Sequence, residues 1–188
     1  MPGSALPDSN GAGGFLNPDV LVGQFGIVSG MQVADFGSGA GHIGLIVAQR
    51  VGPDGKVTAL DILEDKLDST RSQAKAMGLE NIETVRANLE VLGSTGLSEG
   101  SQDMVILANI LFQSSKKEDI LKEAIRVIKP EGKIIVVEWK KGVGGFGPPD
   151  NYRTAEMELM SLFSAVGYLN VASLDAGQFH YGMIFKKS

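Results

Sequence analysis

The sequence predicts a doubly wound α/β fold: a seven-stranded, mainly parallel sheet that closes with a C-terminal antiparallel hairpin and carries helices on both faces. Three observations carry this prediction. Short apolar runs alternate with longer stretches of helical periodicity along most of the chain. The runs "QVADF", "MVILA" and "KIIVVEW" are nearly continuous, the pattern of strands covered on both faces. The closing stretch "YLNVASLDAGQFHYGMIF" reads as two strands with Gly177 in the turn between them.

The elements follow in order. Residues 1–14, "MPGSALPDSNGAGG", are rich in Gly, Pro, Ser and Asn and are expected to form a flexible arm ahead of one domain spanning 15–188. "NPDVLVGQFGI" reads as a short helix with Asn17 as cap and Pro18 at its first position. Strands are expected at 31–36, 56–61, 82–86, 103–108, 133–138, 169–174 and 179–185. Helices are expected at 41–51, 64–77, 116–128 and 153–166, the second with Leu63, Leu67, Ala74 and Met77 on one apolar stripe. No internal repeat interrupts this order.

Composition narrows the function classes. The 188 residues, 43% of them apolar, suffice for one full core. There is no cysteine, which excludes disulfides, thiolate metal sites and cysteine nucleophiles, and no metal site is expected. The net charge of −5 repels nucleic-acid backbones, and the basic residues at 116–117, 140–141 and 186–187 are only pairs. The longest apolar runs are too short to span a bilayer and none resembles a signal peptide, so a soluble cytoplasmic protein is expected. No signal of oligomeric state stands out.

The chemistry concentrates in "VADFGSGAGHIG", Val33 to Gly44. Glycines at 37, 39 and 41 remove Cβ atoms that would hold a ligand off the backbone, and the helix that follows opens with unpaired N–H groups. In an open parallel sheet this turn lies on the edge where ligands bind. "GAGHIG" satisfies the dinucleotide pattern G-x-G-x-x-G, but it begins late after the strand, and Asp35 would bring negative charge towards a pyrophosphate. The spacing Asp35, Gly37, Gly39, Gly41 suits instead a ligand with an ammonium and a sulfonium. Asp61 ends the next strand in "VTALDI" and can accept from both hydroxyls of a ribose. In "RANLE", Asn88 is positioned to meet an adenine amino group.

These motifs resemble, in order, those of the class I S-adenosylmethionine-dependent methyltransferases over roughly residues 15–140. "VADFGSGAGHIG" is similar to their first motif, "ALDI" to the second and "ANLE" to the third. "DMVILANILFQ" and "RVIKPEGKIIVVEW" are similar to their fourth strand and the approach to the fifth. Within the class the chain resembles the small-molecule branch that holds quinone-biosynthesis and arsenite methyltransferases. It departs at Asn88, where aspartate is more common, and at Ser38, where many members carry cysteine. The lack of cysteine argues against the thiolate-dependent arsenite reaction.

The resemblance implies a Rossmann-like sheet and methyl transfer from S-adenosylmethionine to a small-molecule acceptor, with S-adenosylhomocysteine as product. It implies a cofactor site of Asp35, Gly37, Ser38, Gly39, Gly41, Asp61, Ile62, Asn88, Leu89 and Asn109. Glu138 and His180 are the candidate catalytic groups, with Trp139, Lys140 and Tyr181 as acceptor neighbours. A histidine base would give a rate rising with pH through about 6.5. The glycine-rich loop at 142–148 is a candidate lid. Methylation of RNA or protein, cofactor binding without transfer, and a nucleotide-linked oxidoreductase remain as alternative readings. Plainer roles also stand beside these: Asn88 as a turn residue, Glu138 paired with a surface lysine, and Trp139 as packing.

Overall fold

A computed structural model describes residues 16–188, so the expected arm at 1–14 lies outside the described residues. The seven strands are β1 (Gln32–Phe36), β2 (Lys56–Asp61), β3 (Ile82–Arg86), β4 (Gln102–Ala108), β5 (Ile128–Trp139), β6 (Tyr168–Leu174) and β7 (His180–Lys187). They form one sheet in the order β3-β2-β1-β4-β5-β7-β6, and only β7 runs antiparallel to its neighbours. The helices are α1 (Pro18–Gly23), α2 (His42–Val51), α3 (Glu64–Ala76), α4 (Lys117–Val127) and α5 (Glu156–Ser164). The predicted fold class is therefore the observed one.

Strand periodicity explains the two cores. Val33, Val57, Met104, Ile106, Ile135 and Val137 point to the face covered by α1 and α2, where Leu21, Val22, Phe25, Val47 and Val51 meet them. The intervening residues, Ala34, Phe36, Val105, Leu107, Ile134 and Val136, face α4 and α5 through Ile120, Leu121, Ala124, Leu159 and Phe163. Because both faces are covered, the strands need no polar side. The chain winds outward from β1 to β3 and returns to β4, which puts the reversal of strand order between β1 and β4.

Local chemistry sets the ends of the elements. Asn17 Oδ1 accepts from the amides of Asp19 and Val20 and caps α1, with Pro18 at its first position. Three expectations are corrected. The buried stripe of α3 is Leu67, Thr70 and Ala74, whereas Leu63 and Met77 are exposed at its two ends. β5 begins at Ile128, which pairs with Gln102 before "KPEG" bulges and the ladder resumes at Lys133 opposite Met104. The last helix starts at Glu156, after a 3₁₀ turn at Asp150–Tyr152, because Arg153 and Ala155 are extended. No helix among the described residues is long and apolar enough to cross a membrane.

Candidate cofactor and acceptor site

The turn after β1 opens into the crevice between β1 and β4, and its three glycines do different work. At Gly37 (φ 73) an added Cβ would lie 2.5 Å from Ile110 Cδ1, and at Gly41 (φ 84) 2.8 Å from Thr70 Oγ1. At Gly39 (φ 54) it would meet nothing within 4 Å. Only Gly39 therefore turns its missing side chain towards open space; the other two make room for neighbours within the fold. The backbone is held from three sides. Leu60 O accepts from the amides of Gly37 and Ser38 at 2.8 and 2.9 Å, and Asp61 Oδ2 accepts from Gly39 N at 2.9 Å. From α3, Gln73 Nε2 donates to Ala40 O at 2.9 Å, and Thr70 shares its hydroxyl between Gly39 O and Lys66 O.

Acids flank this turn. Asp35, 2% exposed, lies beneath the first turn of α2, with Oδ2 unpartnered. Burial pushes its carboxyl up to about 7, against the pull of the Gly44 amide and with a further push from the Asp61 charge. Ser38 Oγ is likewise buried without a partner. Asp61 is half-buried, and its Oδ1 also accepts from Leu63 N at 2.9 Å. Beside it Ile62 is exposed, an apolar side chain standing at the rim. Asn88 forms an Asx turn, its Oδ1 accepting from Glu90 N at 3.1 Å, while Leu89 is buried in the α4 core.

The ends of β4, β5 and β7 bring the remaining candidates together. Asn109 follows β4 at φ 55, the one left-handed non-glycine among the described residues, with its Oδ1 buried and unpartnered. Glu138 is fully buried and its Oε1 accepts from Leu111 N at 2.7 Å, so it anchors the start of the 3₁₀ turn Leu111–Gln113. Burial raises it to about 7, against the backbone amides of 110–112, and Oε2 stays free. The surface lysine pair considered for Glu138 is thus replaced by backbone amides. His180 pairs with Trp139 across β5 and β7, with ring centroids 4.0 Å apart. It is 4% exposed and neither ring nitrogen has a partner. Burial, with the charges of Arg153 and Lys140, lowers it to about 4, so His180 is neutral at pH 7 and its titration lies well below 6.5. Tyr181, opposite Glu138, donates its hydroxyl to Thr154 O at 2.9 Å.

Arg153 was missed by the sequence reading. Its guanidinium donates to the carbonyls of Lys140, Val143, Phe146 and Pro148 at 2.5–2.9 Å and lies 5.7 Å above the Trp139 ring. A Cβ on Gly147 would sit 2.6 Å from that ring, so the glycine-rich loop is laid on Trp139 and clamped there. In this arrangement the candidate lid is held by Arg153 against Trp139, whose ring packs beneath Gly147. A signal was present: a cation directly follows a loop whose carbonyls have no ladder to join. Thr70, also missed, completes the spacing from Leu67 to Ala74.

Among the described residues, the buried polar side-chain atoms without partners belong to Asp35, Ser38, Asn109, Glu138, Thr154 and His180. All lie at strand ends or in loops on the carboxyl edge of the sheet. A concavity of about 730 Å³ lies at the opposite edge, between the end of α2 and the turn into β3. It carries none of these atoms, so the chemistry of the lining, not the volume, identifies the site.

A family profile described as a methyltransferase domain matches residues 27–173. This chain belongs to that family. The match runs from ahead of β1 into β6 and leaves His180 beyond its end. A ubiquinone/menaquinone biosynthesis C-methyltransferase of Pseudomonas fluorescens is 33% identical over 138 residues, covering 72% of this chain and 53% of that protein. An arsenite methyltransferase of Aquipseudomonas alcaligenes is 29% identical over 130 residues, covering 63% and 38%. The chain spans about half the length of the curated relatives it matches. The crystal structure of a SAM-dependent methyltransferase from Aquifex aeolicus superposes with a TM-score of 0.82 at 26% identity, covering 91% of this chain and 89% of that one. These similarities make the chain a class I methyltransferase domain, with S-adenosylmethionine as cofactor. The residues fit that cofactor: Gly39 leaves backbone open to a ligand, and Asp35 holds a free carboxyl oxygen under the turn.

Proposed function

We propose that the protein transfers the methyl group of S-adenosylmethionine to a small-molecule acceptor by in-line displacement. The observation that carries this reading is the gathering of unpartnered buried polar atoms along one edge of the sheet, around a glycine whose missing side chain faces open space. When bound, the cofactor supplies a methyl group activated by a positively charged sulfur. The protein's own part is alignment and charge. Asp61 accepts from the ribose hydroxyls with the lone pairs its amide contacts leave free, and Ile62, Asn88 and Leu89 flank the adenine. Asp35 and the turn 37–41 hold the cationic amino-acid end, and Asn109 offers its free Oδ1 beside them. Glu138 and His180 are the groups at hand for an acceptor that must lose a proton. We take the reaction to be cytoplasmic and without a nucleic-acid partner, in keeping with the net charge of −5.

The test is incubation with cofactor labelled in the methyl group and a fractionated cell extract. Label should appear in a small soluble product and be lost in Asp61→Ala, which removes charge-assisted hydrogen bonds of about 1.5–3 kcal/mol each. Label in RNA or protein, or none from any fraction, would overturn the reading.

A further inference from the structure

Charge divides the carboxyl edge into two halves. At the β1–β2 end stand the carboxyls of Asp35 and Asp61. At the β5–β7 end stand Lys140 and Arg153, neither in an ion pair among the described residues, while the buried Glu138 pairs with Tyr181 and so lies on the sheet face opposite Trp139 and His180. Arg153 is 5% exposed and its partners are four neutral carbonyls. Lys140 Nζ donates to Gly177 O at 3.1 Å. The nearby acids are otherwise engaged, Asp150 accepting from Gly142 N and Asp175 from Gly177 N. A buried permanent charge that meets only carbonyl dipoles and an aromatic face is costly, and an anion beside it lowers that cost.

The charges of both cations act on His180, whose two ring nitrogens are buried and unpartnered. A neutral imidazole always carries one N–H donor, and here nothing within the fold accepts from it. An ammonium-bearing acceptor would meet two like charges at this end; an anionic oxygen would meet two cations and a free donor. We propose that the β5–β7 end of the cleft, formed by Lys140, Arg153 and His180, is a subsite for an anionic group of the acceptor, a carboxylate or an ionised phenolic or enolic oxygen. The proposal rests on the methyl-transfer reading and names its substrate class.

The chemistry balances without a base. A lone pair of the anion forms the new bond to the methyl carbon, the carbon–sulfur bond breaks, and its electron pair stays on sulfur. The anion's negative charge and the sulfonium's positive charge cancel, and no proton moves. Acids beneath the cationic donor and bases beside the anionic acceptor hold the two partners at opposite ends of one cleft.

Trp139 is the single tryptophan and packs against His180 at an interplanar angle of 40°, so its fluorescence reports on this end of the cleft. The probes are benzoate and its neutral isostere benzamide, titrated with and without S-adenosylhomocysteine, whose own binding is followed by calorimetry. Benzoate should bind saturably and about tenfold or more tighter than benzamide, and Lys140→Gln should reduce that preference several-fold. Arg153→Gln should do the same, but Lys140→Gln and the wild-type comparison decide the matter even if Arg153→Gln fails to fold. Equal affinities, or no saturable response to benzoate, would overturn the subsite. Failure of S-adenosylhomocysteine to bind would strike the methyl-transfer reading, while benzoate selectivity still decides the subsite.

Discussion

Asp35 is 2% exposed, and burial holds its carboxyl near 7, far above the ordinary 3.8. The native state therefore binds this proton more tightly than the unfolded chain does. Its contribution favours folding at acid pH and is lost as pH rises from about 4 through about 7. Glu138, also raised to about 7, acts in the same sense. His180, lowered to about 4, acts in the opposite one, with stability lost as pH falls from about 6.5 through 4. Comparing wild type with Asp35→Asn isolates the single group. Without cofactor, Asp35→Asn should be the more stable protein at about pH 8, by on the order of 2–4 kcal/mol, and should match wild type near pH 4. Its affinity for S-adenosylmethionine should fall, because the ionised oxygen that destabilises the free protein is the one that faces a cationic ligand. Chemical denaturation at several pH values checks the first part; a difference that does not change with pH contradicts it.

Elements were legible in the sequence to the extent that their causes are local. The strands of the parallel core announce themselves by continuous apolar runs, and α1 by Asn17 and Pro18. The turn after β1 could be read because glycine spacing and two strand-end acids are all local signals. Contacts between distant residues could not. That Gly37 yields to Ile110, that Gly41 yields to Thr70, and that Glu138 anchors the turn after Asn109 all depend on which segments the fold brings together. Arg153 is the clearest case, since the glycine-rich loop reads as mobile until the guanidinium that binds it is seen. Arg153→Lys keeps the charge but gives up the fork that reaches four carbonyls. It should cost on the order of 1–3 kcal/mol and speed amide exchange across 142–147. Unchanged protection there would mean that the other contacts of the loop, Asp150 on Gly142 N and the Trp139 ring under Gly147, suffice to hold it.

At the scale of the molecule, a sheet covered on both faces leaves its carboxyl edge as the place where strand ends of β1, β2, β4, β5 and β7 converge. The order β3-β2-β1-β4-β5 supplies acids to one half of that edge, and the antiparallel β7 returns His180 to the other. The central claim is that this edge takes a cationic adenosyl cofactor and not a pyrophosphate, because Asp35 precedes the open glycine turn. Thermal unfolding with each ligand tests it directly. S-adenosylmethionine at about 100 times its Kd should add about 2.7 kcal/mol of stability, and NAD at the same concentration should add none. A melting shift with NAD and none with S-adenosylmethionine would contradict the account.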